Sequence, residues 1–273
     1  MKRRAAGAVL AALAVVLTGC SGEVYVDPTV KAFRHLDEKV LPGLERPHWA
    51  DVEVDVFAHA GSIPPFRMNA QMRGTQRSAP DQSATDLDLR SVTTTVTKPY
   101  TERKVVRTGS VRVIVLGGRT YVRNTLQSSR WRMVTAATTV VGDRRLDPAG
   151  TVTMLKTTML AAMIRGKGPL VGTPTPTTAS GLRLRRYGVT CTVDECLKEE
   201  PDLRELARKV YPGDAIINLT LSVDEQDRVR LLEVESEFPV GNEDMTQGAL
   251  VKFKAKLTLH DHGKPQQITA PAL

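Results

Sequence analysis

Apolar and polar positions alternate along most of this chain, and the period changes only a few times. Val52, Val54 and Val56 are separated by Asp51, Glu53 and Asp55, the period of a strand with one buried face. Phe66, Met68, Ala70 and Met72 repeat it, residues 76–85 are polar and read as a loop, and residues 87–97 are β-branched and alternating before Pro99. Residues 110–123 hold two strand-like runs around Gly117-Gly118, and paired glycines suit a type I′ hairpin turn. Everything from 51 to about 132 therefore reads as antiparallel sheet. The helical period takes over in three places. Over residues 27–42, Asp27 suits the cap, Pro28 the first turn, and Val30, Phe33, Leu36 and Val40 recur at three and four residues until Pro42-Gly43. Residues 152–164 carry Met154, Leu155, Met159, Leu160, Met163 and Ile164 after a cap at Asp147 and Pro148. Residues 195–210 form the third.

Between and after these helices, residues 166–178 read as a Gly-, Pro- and Thr-rich loop. Residues 181–193, 215–223, 228–238, 249–259 and 266–268 read as strands, with a turn at 224–227. Consecutive strands joined by short turns argue antiparallel pairing, and helices gathered on one side argue the α+β class. Strand and helix do not alternate as a doubly wound sheet requires.

The first twenty residues follow another rule. Lys2, Arg3 and Arg4 precede a thirteen-residue apolar run, 5–17, too short to span a bilayer and typical of an export signal. Leu17-Thr18-Gly19-Cys20 then resembles the bacterial lipobox, in which the cysteine receives a diacylglycerol before the chain is cut ahead of it. That resemblance implies a lipoprotein signal peptide over 1–19, a lipidated tether over 20–26 and one domain over 27–273. Two acyl chains supply the double signal that stable anchoring needs, at about 0.8 kcal/mol per buried methylene. The alternative is a conventional signal peptide with an incidental cysteine.

Loss of residues 1–19 removes Lys2, Arg3 and Arg4 and no acid, so the formal net charge falls from +8 to +5 over 254 residues. A mild positive excess favours anionic headgroups. Nucleic acid is not indicated: the arginines look scattered and aromatic residues are only 4% of the chain. With Cys20 taken by lipid, Cys191 and Cys196 remain as an even pair in an oxidising compartment, which predicts a disulfide. Its small loop contributes about 2 kcal/mol. A metal would need more ligands than this stretch offers, and a redox role a tighter C-x-x-C.

No nucleophile elbow, zinc helix or phosphate loop occurs, and Asp224 to Asp227 lacks the glycine and distal glutamate of a calcium loop, leaving a solvated turn. His260 and His262 would share a strand face but find no third ligand, and His35, His48 and His59 are dispersed. No catalytic residue, metal or cofactor is expected. The methionines are more suggestive. Met154, Met159 and Met163 lie on one predicted helix, with Met68 and Met72 on one strand face, and methionine adapts to irregular apolar partners. They either fill the core between helix and sheet or, with Leu155, line a ligand cavity on a concave apolar face.

Residues 250–271, an alternating strand followed by Asp261, Gly263, Pro265, Ile268 and Pro271, resemble the closing strands of the actinobacterial LppX/LprG-type lipoproteins. Residues 113–123, with Gly117, Gly118 and Tyr121, resemble that family's central hairpin; Leu146-Asp147-Pro148 its helix start; residues 218–235 its late hairpin. The resemblance implies a LolA-like fold: a strongly curved antiparallel sheet, a half-barrel, with helices packed on its concave face. It further implies a membrane-anchored, extracytoplasmic, non-enzymatic protein carrying a lipid, lipoglycan or other acylated ligand between sheet and helices. The Cys191/Cys196 pair, the arginine-rich loops and the long Pro/Thr segment depart from the family pattern. A different reading is a cell-envelope interaction protein with a packed core, no lipid cargo and a protein or cell-wall partner.

Overall fold

The structure, a computed structural model, describes residues 27–60, 66–79, 84–97, 104–134, 139–141, 144–146, 152–153, 155–179, 181–208, 211–240 and 249–273. Its frame is one antiparallel, curved and unclosed sheet of eleven strands. β1 (His48–Ala60), β2 (Phe66–Ser78), β3 (Ala84–Thr97), β4 (Lys104–Leu116), β5 (Arg119–Asn124) and β6 (Ser128–Val134) run outward as a meander. A small separate hairpin, β7 (Thr139–Val141) and β8 (Arg144–Leu146), follows. The chain then crosses to the far edge and returns through β9 (Thr175–Ala179), β10 (Leu182–Thr192), β11 (Ile216–Val223), β12 (Val229–Val240) and β13 (Ala249–His260). β13 closes against β1, the single pairing between non-consecutive strands, so β6 and β9 are left as opposite edges.

The glycine hairpin forms as its sequence predicts. Gly117 and Gly118 take φ +56° and +72°, the doubly positive pair of a type I′ turn, and Leu116 faces Arg119.

Several elements run past their expected ends. Helix α1 (Pro28–His35) starts where expected, with Asp27 Oδ1 accepting from the Thr29 amide at 2.8 Å. The helical path does not stop at Pro42, however. A π turn over Leu36–Val40 hands the Leu41 amide to the Leu36 carbonyl, and Pro42 falls in the first turn of a new helix, α2 (Leu41–Glu45), where its missing N–H costs nothing. The polar stretch from Gln76 is largely strand. β2 continues through Ser78 because Gln76 and Ser78 keep the inward alternation and are buried there, Ser78 with its hydroxyl on the His48 ring. The Pro/Thr segment is also strand: β9 pairs with β10, and proline is tolerated because this is an edge.

The remaining helices are shorter than predicted. The methionine helix, α3 (Thr157–Lys167), carries Gly166 and Lys167 in its last turn and continues as a 3₁₀ turn over Gly168–Val171. A Cβ on Gly166 would lie 1.8 Å from the Cys196 carbonyl oxygen, so only glycine allows this approach. Asp147, Pro148 and Met154 lie outside the described residues. The third predicted helix is two, α4 (Val193–Cys196) and α5 (Pro201–Arg208), divided at Pro201. Residues 266–268 are not a strand. β13 already has β1 on one side and β12 on the other, so it offers them no ladder.

α3 lies in the passage from one sheet edge to the other and packs into the main core with the inward residues of the central strands. Thr157 Oγ1 donates to the Leu44 carbonyl at 2.7 Å and Gln76 Nε2 to the Leu155 carbonyl at 3.3 Å, tying α3 to α2 and to the sheet. The turn after β11 is a fixed joint rather than a solvated loop. Asp224 is buried and accepts from the amides of Gln226 and Arg228 and from the guanidinium groups of Arg228 and Arg230. Asp227 beside it holds His35 at 2.9 Å and also Arg185.

Candidate functional site

Strand register sorts the side chains of the concave face into rows. Val54 lies between Met72 and Ala255, with Val234 and Leu219 beyond; Val56 lies between Ala70 and Phe253; Ala58 lies between Met68 and Val251, with Phe238 beyond. The row through Val54, and those toward Ala50, belong to the main core under the helices. At the other end of β1, Ala58, Met68 and Val96 form a second apolar cluster. Val56 and Val251 touch both.

The predicted residues divide between these two places. Met72, Leu155, Met159 and Met163 come together in the main core, and the last three are 0% exposed. A side chain with no exposed surface faces no space the size of a water, so these three are packed on every side. Met68 stands apart from them in the second cluster. Cys191 and Cys196 are joined in a disulfide that links the end of β10 to α4, Cα atoms 6.0 Å apart. Cys20 and Met154 lie outside the described residues. His260 pairs with Asp51 across β13 and β1 at 2.8 Å. His262 is partly buried, and burial, followed by the neighbouring His48 and Arg230, pushes its pKa down to about 4. Burial also lowers the pKa of His48. Among the described residues no cluster of three metal-ligating side chains forms.

Two hydroxyl groups mark the boundary between the clusters, and periodicity gives no warning of either role. Tyr211 follows α5 outside any regular element, so no repeat singles it out. Its ring meets Phe238 and Phe253 edge to face at 5.8 and 6.5 Å, and those are inward residues of β12 and β13 beside Val251 and Val56. The Tyr211 hydroxyl is buried without a hydrogen-bond partner, and burial pushes its pKa far up. Thr94 stands on β3 opposite Ala70, one alternation from Val96, and its Oγ1 is likewise buried and unpartnered. Each such group costs about 1–3 kcal/mol when it stays unbonded. On the β2 side Thr94 faces the small Ala70, and Val96 beside it faces Met68.

Charge is distributed over the strands in two ways. Across β12, β13, β1 and β2, Glu237–Lys252 (2.7 Å), Glu235–Lys254 (2.8 Å) and Glu53–Arg73 (3.8 Å) pair strand to strand. β4, β5 and β6 hold seven basic residues and no acidic one, and register divides them: Lys104, Arg112, Arg119 and Arg123 lie on the outer face with Trp131, whereas Arg107 stands opposite Thr94 and Arg132 opposite Val122, on the side of the core. Arg112 makes two hydrogen bonds to buried Asp86, at 2.9 and 2.7 Å, and Arg77 binds the same carboxylate. Burial opposes charge on Asp86, yet the hydrogen bonds from Arg112 and Arg77 prevail and hold its pKa below the ordinary value. Arg112 and Arg123 lie 5.9 and 5.2 Å from the centre of the Trp131 ring.

No family model and no curated protein matches the chain. Among solved structures it is similar to LprF from Mycobacterium bovis, at 14% identity over 89% of this chain and 97% of that one, TM-score 0.41. It is similar to the Mycobacterium tuberculosis lipoprotein LppX, at 11% identity over 89% of this chain and 100% of that one, TM-score 0.38. A LolA superfamily protein from Nitrosomonas europaea matches at 10% identity over 85% and 93%, TM-score 0.25. These are likenesses of outline.

Proposed function

We propose that this chain is a lipid-anchored protein on the extracytoplasmic face of the cell membrane. It holds the acyl part of a lipid, lipoglycan or other acylated ligand between its concave face and its helices, without catalysis. The observation that carries the reading is the second cluster, where Ala58, Met68 and Val96 extend the apolar inner face beyond the main core and buried Thr94 and Tyr211 hydroxyls stand near it unbonded. Acyl chains would gain about 0.8 kcal/mol per methylene there, and a ligand ester or hydroxyl would satisfy the orphan groups. The lipobox sequence ending at Cys20 supports the anchor and the location.

A second reading has its own support. Leu155, Met159 and Met163 are fully packed, as expected of an envelope interaction protein with a closed core and a protein partner. Extraction of the chain from residue 21 onward with organic solvent, followed by mass spectrometry, decides between them. The carrier reading expects co-purifying lipid; clean extracts from protein made in a lipid-rich envelope would sink it. Met68→Glu should then lose the lipid and stay folded, whereas Met159→Glu should unfold the domain, since even truncation of such a buried side chain costs about 2–5 kcal/mol. For the anchor, Cys20→Ala should leave the membrane-lipoprotein fraction. A variant that still partitions there would overturn it.

A further inference from the structure

Building on the carrier reading proposed above, we infer that the ligand of the concave face carries an anionic headgroup, a phosphate or a carboxylate, and that Arg107 with Thr94 forms its binding site. The row through Val56 and Ala70 continues through Thr94 on β3 to Arg107 on β4. The row through Ala58 and Met68 continues through Val96 to Val105. From β4 to β12 these two rows are apolar apart from Arg107, Thr94 and Ser236. Ser236 already donates to the Ile216 carbonyl at 2.9 Å. Arg107 is the one charged side chain in either row, and it is a cation.

Directly opposed residues on neighbouring strands have Cβ atoms about 5 Å apart, so Arg107 and Thr94 can hold one ligand group between them. Their settings differ. Arg107 is exposed, while Thr94 is 1% exposed with its hydroxyl unpartnered. That order suits an amphiphile. The charge stays in water at Arg107, the adjoining oxygen reaches Thr94, and the acyl chain continues over Ala58, Met68 and Val96. A guanidinium presents five N–H donors in a fork, so it takes an oxyanion in addition to a bond it already makes. β5 pairs with β4 over residues 111–116, which leaves residues 104–109 as a margin of the sheet among the described residues. An inward-pointing charge at a margin also discourages edge-to-edge pairing. Edge protection does not account for a hydroxyl buried unbonded directly opposite it.

The chain from residue 21 onward keeps every described residue and can be titrated with matched pyrene-labelled probes. One pair is a fatty acid and its methyl ester; the other is a phosphatidic acid and the diacylglycerol with the same chains. Each anionic probe should bind about tenfold more tightly than its neutral partner, and the ratio should shrink in high salt. Arg107→Gln should bring the ratio to about one and leave the neutral probes unchanged. Arg107→Lys, which keeps the charge without the fork, should restore part of the preference. Thr94→Val should weaken all four probes alike, because its hydroxyl meets a ligand oxygen whatever the charge. Arg132→Gln, inward opposite Val122, should leave the ratio as it is. A wild-type ratio of one, a preference that survives Arg107→Gln, or binding unmoved by Thr94→Val would overturn the proposal. The second outcome would leave edge protection as the role of Arg107. Inorganic phosphate bound as tightly as the phosphatidic acid would overturn the assignment to a lipid headgroup. In all these cases the neutral probes still bind and the carrier reading stands; binding of none of the four would sink both.

Discussion

Two groups of strands in the same sheet, the centre and the β4–β6 wing, carry equal numbers of basic side chains, one balanced by acid and the other not. β12, β13, β1 and β2 hold seven lysines and arginines with six carboxylates; β4, β5 and β6 hold seven with none. In the centre, register pairs each strand with one of opposite charge: Glu235 faces Lys254, which faces Asp55, and Glu53 faces both Lys256 and Arg73. Charge there is cross-strand glue. In the wing the neighbouring carboxylates are on β3: Asp86, shared by Arg77 and Arg112, and Asp88, which faces Arg112. The role of Asp86 is structural, holding two guanidinium groups from strands on either side of its own.

The largest effect should therefore come from the junction between the two regions. Asp86→Asn keeps the shape and removes the charge that both guanidinium groups are folded around. Breaking an enclosed pair costs about 3–5 kcal/mol. Here the Arg77 and Arg112 side chains stay 34% and 28% exposed, which lowers the expected loss to about 2–3 kcal/mol at neutral pH. The acid limb checks the sign. Because the folded carboxyl titrates below its ordinary 3.8, its contribution is present above about pH 4 and is lost as the pH falls through the folded value. Urea midpoints of wild type and variant should differ at pH 7 and converge in strong acid. A constant gap across that range would mean that the charge is not what Asp86 supplies.

The two regions were also unequally legible in the chain itself. Alternation revealed which residues of β1 and β13 face outward, and hence their charges, because a period-two pattern is local. Facing partners are not local. Nothing near Lys254 announces Glu235 or Asp55, and nothing near Arg112 announces Asp86, since register is set by strands remote in sequence. The seven cations of the wing are plain in the chain, but which face each takes depends on cross-strand register and on the irregularity between β5 and β6. The interior behaves likewise. Gly117-Gly118 specified its own turn, and Asp27 its own cap. The methionine stripe indicated a buried helix face, yet not that Met68 would stand in a different cluster from Met159. Pro42 misled because a π turn upstream reset the hydrogen-bond ladder. Tyr211 and Thr94 carry no pattern of their own; their isolation comes from what the folded sheet places around them.

A smaller effect tests the centre as glue. Lys254→Glu removes the 2.8 Å pair with Glu235 and sets a third carboxylate between Glu235 and Asp55. At exposed cross-strand sites each pair is worth about 0.2–1 kcal/mol, so the loss should be about 1 kcal/mol and should shrink in high salt. A double-mutant cycle of Lys254→Ala and Glu235→Ala isolates the direct term. Coupling indistinguishable from zero would mean that the centre is neutral by arrangement without being stabilised by it.

The smallest effect is the most discriminating, because its sign reverses. Arg132→Glu on the wing removes no ion pair among the described residues and relieves repulsion from its cationic neighbours, of which Arg130 is two residues away along β6. The same basic-to-acidic exchange that weakens the centre should here be neutral or raise stability by about 0.5 kcal/mol at low salt, the usual ceiling for an exposed site. Urea unfolding at low and high salt reads it directly. A destabilisation matching that of Lys254→Glu would mean that Arg132 already has an internal partner. Wing and centre would then be compensated alike.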